Sequence, residues 1–170
     1  MTHSELVEKA ALWLRRKLNC RVILTEQTTG SGEIPDAIGW KYWTTSYLVE
    51  CKASRGDFLA DRCKSFRCDP AKGMGIYRYF MAPTGLISLE DLEAHPGWGL
   101  LEGVGKKVHI RKKADAQPQH NQSEEVAQLV QALSQASLRI DGPLHLWLTG
   151  PDSPVGKLRA QQKAEREAAK

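Results

Sequence analysis

The chain has 170 residues, 41% hydrophobic and 26% charged, with a net charge of +4. That length suits one well-buried domain with an appendage, and the composition suits a globular chain. The longest apolar runs fall far short of the roughly 18 residues that a membrane span requires, and the polar start "MTHSE" lacks signal-peptide character, so the expected compartment is the cytoplasm. Four scattered cysteines, Cys20, Cys51, Cys63 and Cys68, read as reduced thiols, because no CxxC pair or spaced histidines complete a zinc site.

In chain order, Thr2 and Glu5 have capping-box spacing ahead of an apolar stripe formed by Leu6, Val7, Ala10, Ala11, Trp13, Leu14 and Leu18. This predicts an amphipathic helix over 3–18. Strands are expected at 20–27, 34–40 and 47–52; a glycine-bearing turn joins the first two, and Pro35 sits at the start of the second, where a missing donor is tolerated. Ser54 and Asp57 open a second helix, 55–66, with Phe58 and Leu59 on one side. A fourth strand at 76–83, a short helical turn in "SLEDLEA" and a hairpin around Gly103 to Gly105 follow.

Residues 112–122 are polar and aperiodic, so they read as a linker. Beyond them, "SEEVAQLVQALSQASL" spaces Val126, Leu129, Val130 and Leu133 to face a core. "PLHLWL" reads as a short strand or buried turn, and 157–170 as a solvated helix or frayed tail. The expected organisation is a domain over 1–111, a linker over 112–122 and a helical C-terminal extension over 123–170.

The chemistry concentrates in "SYLVECKASRGDF". Side chains on a strand alternate faces, so Glu50 and Lys52 share one face while Val49 and Cys51 take the other. If the second and third strands pair, Asp36 projects toward the same point as Glu50. Two converging carboxylates suit a hard divalent cation such as magnesium, with the Cys51 carbonyl as a further oxygen ligand and positions left for water and phosphate. Lys52, one pleat along, can hold an attacking water and offset charge building on a phosphoryl group. From Lys52 to Arg78, seven basic residues face three acidic ones, a local surplus that suits a polyanion.

Pro35 and Asp36, followed by "ECK" at Glu50 to Lys52, resemble the signature of the PD-(D/E)xK nuclease superfamily, and residues 3–83 follow a similar element order. The stretch from Val49 to Arg62 resembles small stand-alone members, including repair-associated proteins and Holliday-junction resolvases. The resemblance implies an α/β restriction-endonuclease-like core, here with a C-terminal hairpin and helical extension. It also implies a magnesium-dependent DNA endonuclease, with manganese able to substitute and RNA still open as a substrate. Catalysis and metal binding would fall to Asp36, Glu50 and Lys52, with Cys51 completing the metal shell, and the first helix would supply a supporting glutamate, Glu8 in preference to Glu5.

His3 reads as a packing or capping residue and Glu33 as a turn glutamate in water. For phosphate the candidates are Arg55, Lys64, Arg67, Lys72 and Arg78. Arg55 lies at a helix start, where backbone amides favour anions. Tyr77 and Tyr79 alternate with Arg78, so one set packs and the other reaches solvent. Trp40, Tyr42 and Trp43 read either as core aromatics or as an exposed wedge. The second helix lacks the Gln-x-x-x-Tyr element of RecB-type exonucleases. A homodimer is expected by analogy with nucleases that carry one site per chain. The competing readings are a non-catalytic nucleic-acid-binding module and a partner subunit that keeps the fold.

Overall fold

The computed structural model describes residues 1–137, apart from 31, 42, 43 and 63. The expectations for Tyr42, Trp43, Cys63, "PLHLWL" and the 157–170 tail therefore lie outside the described residues. Met1–Ala132 forms one compact unit, and Leu133–Lys170 is a second.

Helix α1 (His3–Arg16) starts as its sequence predicts: Thr2 accepts from the Glu5 N–H while the Glu5 carboxylate accepts from the Thr2 N–H. An antiparallel meander of β1 (Val22–Leu24), β2 (Ala37–Trp40) and β3 (Ser46–Cys51) follows. Helices α2 (Arg55–Asp61) and α3 (Ser65–Cys68) cross over to β4 (Tyr77–Pro83), which pairs parallel with β3. A 3₁₀ turn, Glu90–Ala94, leads to β5 (Gly99–Val104), parallel to β4, and β6 (Lys107–Lys112) returns antiparallel. The result is a mixed α/β fold around a six-stranded sheet in order β1 to β6.

Each sheet face has its own core. Leu6, Val7, Ala10, Trp13 and Leu14 of α1 cover Val49, Cys51, Tyr79, Met81 and Leu101. On the other face Phe58 of α2 joins Leu48, Phe80, Leu92, Trp98 and Leu100. By the pleat, Glu50 and Lys52 belong with Leu48 on that second face, so two charged groups emerge inside an aromatic-lined layer. On the α1 face Gly99 permits close approach: a Cβ at this position would lie 2.4 Å from the Tyr79 ring.

Three expectations change. The predicted helix at 55–66 stops at Asp61 and resumes as α3, because Arg67 turns inward to bond the Asp61 carboxylate. The predicted linker is tied down instead of free. Asp115, Gln117 and Asn121 N–H groups donate to the carbonyls of Gly97, Ile76 and Gly73, and Ala116 bridges to Tyr77. The compact unit accordingly runs past residue 111 into helix α4 (Gln122–Ser137).

Helix α4 also presents a different face to the body. Glu125 is buried, accepting from Trp40 Nε1 at 2.9 Å, Ser46 Oγ at 2.9 Å and the Gly75 N–H at 2.8 Å. Gln128 is buried and Leu129 packs on the second core, while Val126, Val130 and Leu133 of the predicted stripe are exposed. Polar partners on the body outweigh hydrophobic spacing here. Trp40 is thereby a core aromatic.

Candidate active site

β3 pairs with β2 on one side and β4 on the other, which fixes the site's geometry. Because Ala37 pairs with Val49, Asp36 lies beside the position of Glu50 at the end of the strand pair. The Cys51 N–H donates to Asp36 Oδ2 at 2.6 Å. In an extended strand a residue's N–H and C=O point to the same edge, so the Cys51 carbonyl faces the Asp36 side. The next residue, Lys52, instead sends its N–H to the Met81 carbonyl at 2.8 Å.

Glu50 and Lys52 are almost inaccessible, at 2% and 3% exposure. Lys52 Nζ lies 3.0 Å from Asp61 Oδ1, 3.7 Å from Asp57 Oδ1 and 3.9 Å from Glu50 Oε2. Burial alone would depress its ammonium, but Glu50 and Asp61 outweigh that and hold it above its ordinary value, so Lys52 stays charged. Asp61 takes the opposite shift: Arg67 and Lys52 overcome its burial and keep it well below the usual carboxylate range.

Arg67 is the hub of the cluster. Its Nη1 meets Glu33 Oε1 at 2.6 Å, its Nε meets Asp61 Oδ2 at 2.6 Å and its Nη2 lies 2.9 Å from Glu50 Oε1, with the side chain 2% exposed. The last contact is an ion pair outside hydrogen-bond alignment, so Glu50 Oε1 and Arg67 Nη2 both lack a hydrogen-bond partner. Glu33 is fully buried and also accepts from the Met74 N–H at 2.8 Å. The cluster thus holds four carboxylates (Glu33, Asp36, Glu50, Asp61) against two buried cations (Lys52, Arg67), with Lys64 reaching Asp61 at 2.9 Å from the rim. Burial and the charge of Glu50 push the Asp36 carboxyl up to about 6.

The structure places the remaining expected residues as follows. Glu8 is exposed and lines a groove with Lys106, Val108 and His109 of the β5–β6 hairpin. The α1 residue that reaches Asp36 is His3, whose Nε2 lies 3.5 Å from Asp36 Oδ1 and 3.5 Å from Glu26 Oε1. Arg55 forms a two-point ion pair with Asp91 and bonds the Leu86 carbonyl. Lys72 is exposed, 3.7 Å from Asp69. Arg67 and Arg78 are turned inward, not toward solvent. Arg78, 2% exposed, donates to the carbonyls of Pro70, Gly73, Met74 and Gly75. Tyr79 is buried as well, so the alternation along β4 separates two cores, not a core from solvent.

Sequence reasoning left out Asp61 and gave Glu33 and Arg67 other roles. Asp61 carried one signal, its position on the same helical face as Phe58 and four residues after Asp57. Cys20, Cys51 and Cys68 are free thiols, as expected. Among the described residues no helix is long and apolar enough to cross a membrane, and no group of three or more His, Cys, Asp or Glu side chains is arranged to hold a metal ion.

The arrangement defines a mixed α/β protein with a buried carboxylate and lysine cluster at the end of adjacent strands. No family model and no curated protein matches the chain. Among solved structures it is similar to a protein of unknown function from Silicibacter pomeroyi, at 19% identity and a TM-score of 0.60 over 82% of this chain and 93% of that one. At that identity the likeness concerns the fold alone.

Proposed function

We propose that the protein is a metal-dependent DNA endonuclease of PD-(D/E)xK type, built on a restriction-endonuclease-like core. The observation that carries this reading is the meeting of Asp36, Glu50 and Lys52 at the ends of β2 and β3 within a cluster that has more carboxylates than cations. The order of helix, three-strand meander, helix and parallel fourth strand supports the same reading.

A divalent ion such as magnesium fits the donors present. Asp36 and Glu50 offer hard oxygens, and Glu50 Oε1 has an ion pair with Arg67 but no hydrogen bond. The Asp36 carboxyl, raised by burial and then by the charge of Glu50, stands where a cation would favour its ionised form. Asp36 and Glu50 would hold the ion with help from the Cys51 carbonyl, and the ion would supply Lewis acidity toward a phosphodiester. Lys52, kept charged by Asp61 and Glu50, holds the attacking water and balances charge on the phosphoryl oxygens. Asp61 and Arg67 act through others, one fixing Lys52 and the other fixing Glu50.

Purified protein incubated with linear, nicked, branched and single-stranded DNA, with and without magnesium, tests the reading. Magnesium-dependent cleavage is expected, and Lys52→Ala should lower its rate by about 10²–10³-fold. Equal background from both proteins sinks the catalytic assignment. The low exposure of Glu50 and Lys52, each satisfied by internal ion pairs, favours a second reading as a non-catalytic nucleic-acid-binding module. Calorimetric titration with magnesium separates the two, since only the nuclease requires Asp36 and Glu50 for a metal response.

A further inference from the structure

The cations first assigned to phosphate are largely committed within the molecule: Arg67 and Arg78 are buried, Arg55 holds Asp91 and Lys64 holds Asp61. A different cationic surface lies on the α1 side of the sheet, at the end away from Asp36. There a groove of about 980 Å³ is lined chiefly by Arg15, Arg21, Lys41, Thr45, Tyr47 and Tyr77. Among the described residues the lining has three cations and no carboxylate.

The groove is organised. Tyr47 and Tyr77 stack with centroids 5.0 Å apart and planes 15° apart, and Lys41 Nζ sits 5.6 Å from the Tyr47 centroid. The carbonyls of Trp13 and Leu14 at the end of α1 already accept from the Lys17 and Cys20 N–H groups, which blunts the negative end of that helix. Burial, and then the neighbouring Tyr77, raise the Tyr47 hydroxyl above its ordinary value, so it stays a neutral donor. Arg15 and Lys41 line the same groove as the Thr45, Tyr47 and Tyr77 hydroxyls, and positive charge combined with hydroxyl donors attracts an anion with several acceptor oxygens.

We infer that this groove binds the phosphodiester backbone of a nucleic-acid strand as an anchoring site separate from the cleavage site. The inference deepens the nuclease reading and rests on it for the identity of the polymer. Arginine forks and the Tyr and Thr hydroxyls match phosphate oxygens, and aromatic faces tolerate any base. Tyr47 precedes Glu50 by three residues, about 10 Å along β3, and its side chain takes the opposite face. The anchored phosphate is therefore not the one that is cut, and the groove contributes affinity without entering the chemical step.

Fluorescence anisotropy with a labelled oligothymidylate, in the absence of divalent ions, tests the site. Arg15→Glu with Lys41→Glu should weaken binding about tenfold or more at low salt. Loss of two phosphate contacts should also flatten the dependence of log affinity on log salt by about 1.4. The milder pair Arg15→Gln with Lys41→Gln should move both quantities in the same direction, with thermal melts checking that each variant folds. Unchanged affinity and slope in folded variants overturn the inference. Thymidine monophosphate binding as tightly as the oligomer overturns it too, in favour of a pocket for a free nucleotide. Magnesium-dependent cleavage is scored in parallel. If wild type does not cleave but the variants lose binding, the groove stands and the nuclease reading falls; if wild type cleaves and the variants bind normally, the reverse holds.

Discussion

Arg67 and Arg78 lie eleven positions apart, and both guanidinium side chains are almost wholly enclosed. Arg67 faces the carboxylates of Glu33, Glu50 and Asp61, whereas Arg78 faces the backbone carbonyls of residues 70 and 73–75. Burial would lower both guanidiniums, and it does lower Arg78 to about 10, but the carboxylates hold Arg67 above its ordinary range. Carbonyls are neutral and fixed by the chain, so Arg78 staples a loop. Carboxylates can exchange one cation for another, so under the proposed nuclease reading Arg67 sits where a metal ion would compete. The chemistry of the partner, not the depth of burial, distinguishes a site from a staple.

Replacing each arginine by methionine is the strongest way to break this comparison. Arg67→Met leaves three buried carboxylates with Lys52 as their remaining buried cation and should cost about 3–5 kcal/mol. Millimolar magnesium should return part of that loss. Arg78→Met strands four carbonyls and should cost a similar amount, about 3 kcal/mol or more, with no magnesium recovery. Urea unfolding of both variants with and without magnesium measures the difference. An equal magnesium response in the two would show that the carboxylate cluster is a staple as well.

The trio of Asp36, Glu50 and Lys52 was legible because a strand's two-residue period and a meander's pairing are local rules, and both hold here. The cluster around the trio was not legible, because it depends on a break in a helix. Read as one helix over 55–66, the chain leaves Arg67 just beyond a solvent-exposed end; with α2 stopping at Asp61, Arg67 folds back onto it. The first helix shows the same limit, since its apolar stripe is evident but the choice between Glu8 and His3 depends on where β1 and β2 lie. In α4 the stripe of Val126, Val130 and Leu133 was misleading, because Trp40, Ser46 and the Gly75 amide form a polar seat for Glu125 that no periodicity announces.

His95 sharpens the comparison as a buried basic group with neither kind of partner. It packs against Phe58, Phe80 and Trp98, and its Nε2 has no hydrogen bond. Burial holds its imidazole down to about 4; Asp61 opposes this, while Arg62, Arg67 and Lys52 reinforce it. Between about pH 6.5 and 4 the unfolded chain takes a proton that the folded chain refuses. The associated stability is therefore complete above that window and lost as pH falls through it. Asp36, raised to about 6, works in the opposite sense: its contribution is full below its ordinary range and lost as pH rises. His95→Phe keeps an aromatic ring among aromatic rings and removes one side of this balance. Relative to wild type, it should gain about 2 kcal/mol on going from pH 7 to pH 4.5, read from urea midpoints at the two values. A constant difference between the proteins would mean that His95 takes up its proton in the fold just as it does in the unfolded chain.

Glu8 should give the smallest effect. The nuclease resemblance assigns it to the metal site, but on α1 it is exposed and faces the β5–β6 hairpin, while His3 reaches Asp36. An exposed glutamate without a buried partner contributes within about 0.5 kcal/mol of nothing to stability. Glu8→Gln should accordingly keep both the unfolding midpoint and the initial rate of magnesium-dependent cleavage within about twofold of wild type. His3→Ala, which removes the neighbour of Asp36, should change that rate more than Glu8→Gln does. A hundredfold loss in Glu8→Gln alone would mean that α1 rotates when substrate binds and brings the glutamate to the metal, and the site would then have to be redrawn around Glu8.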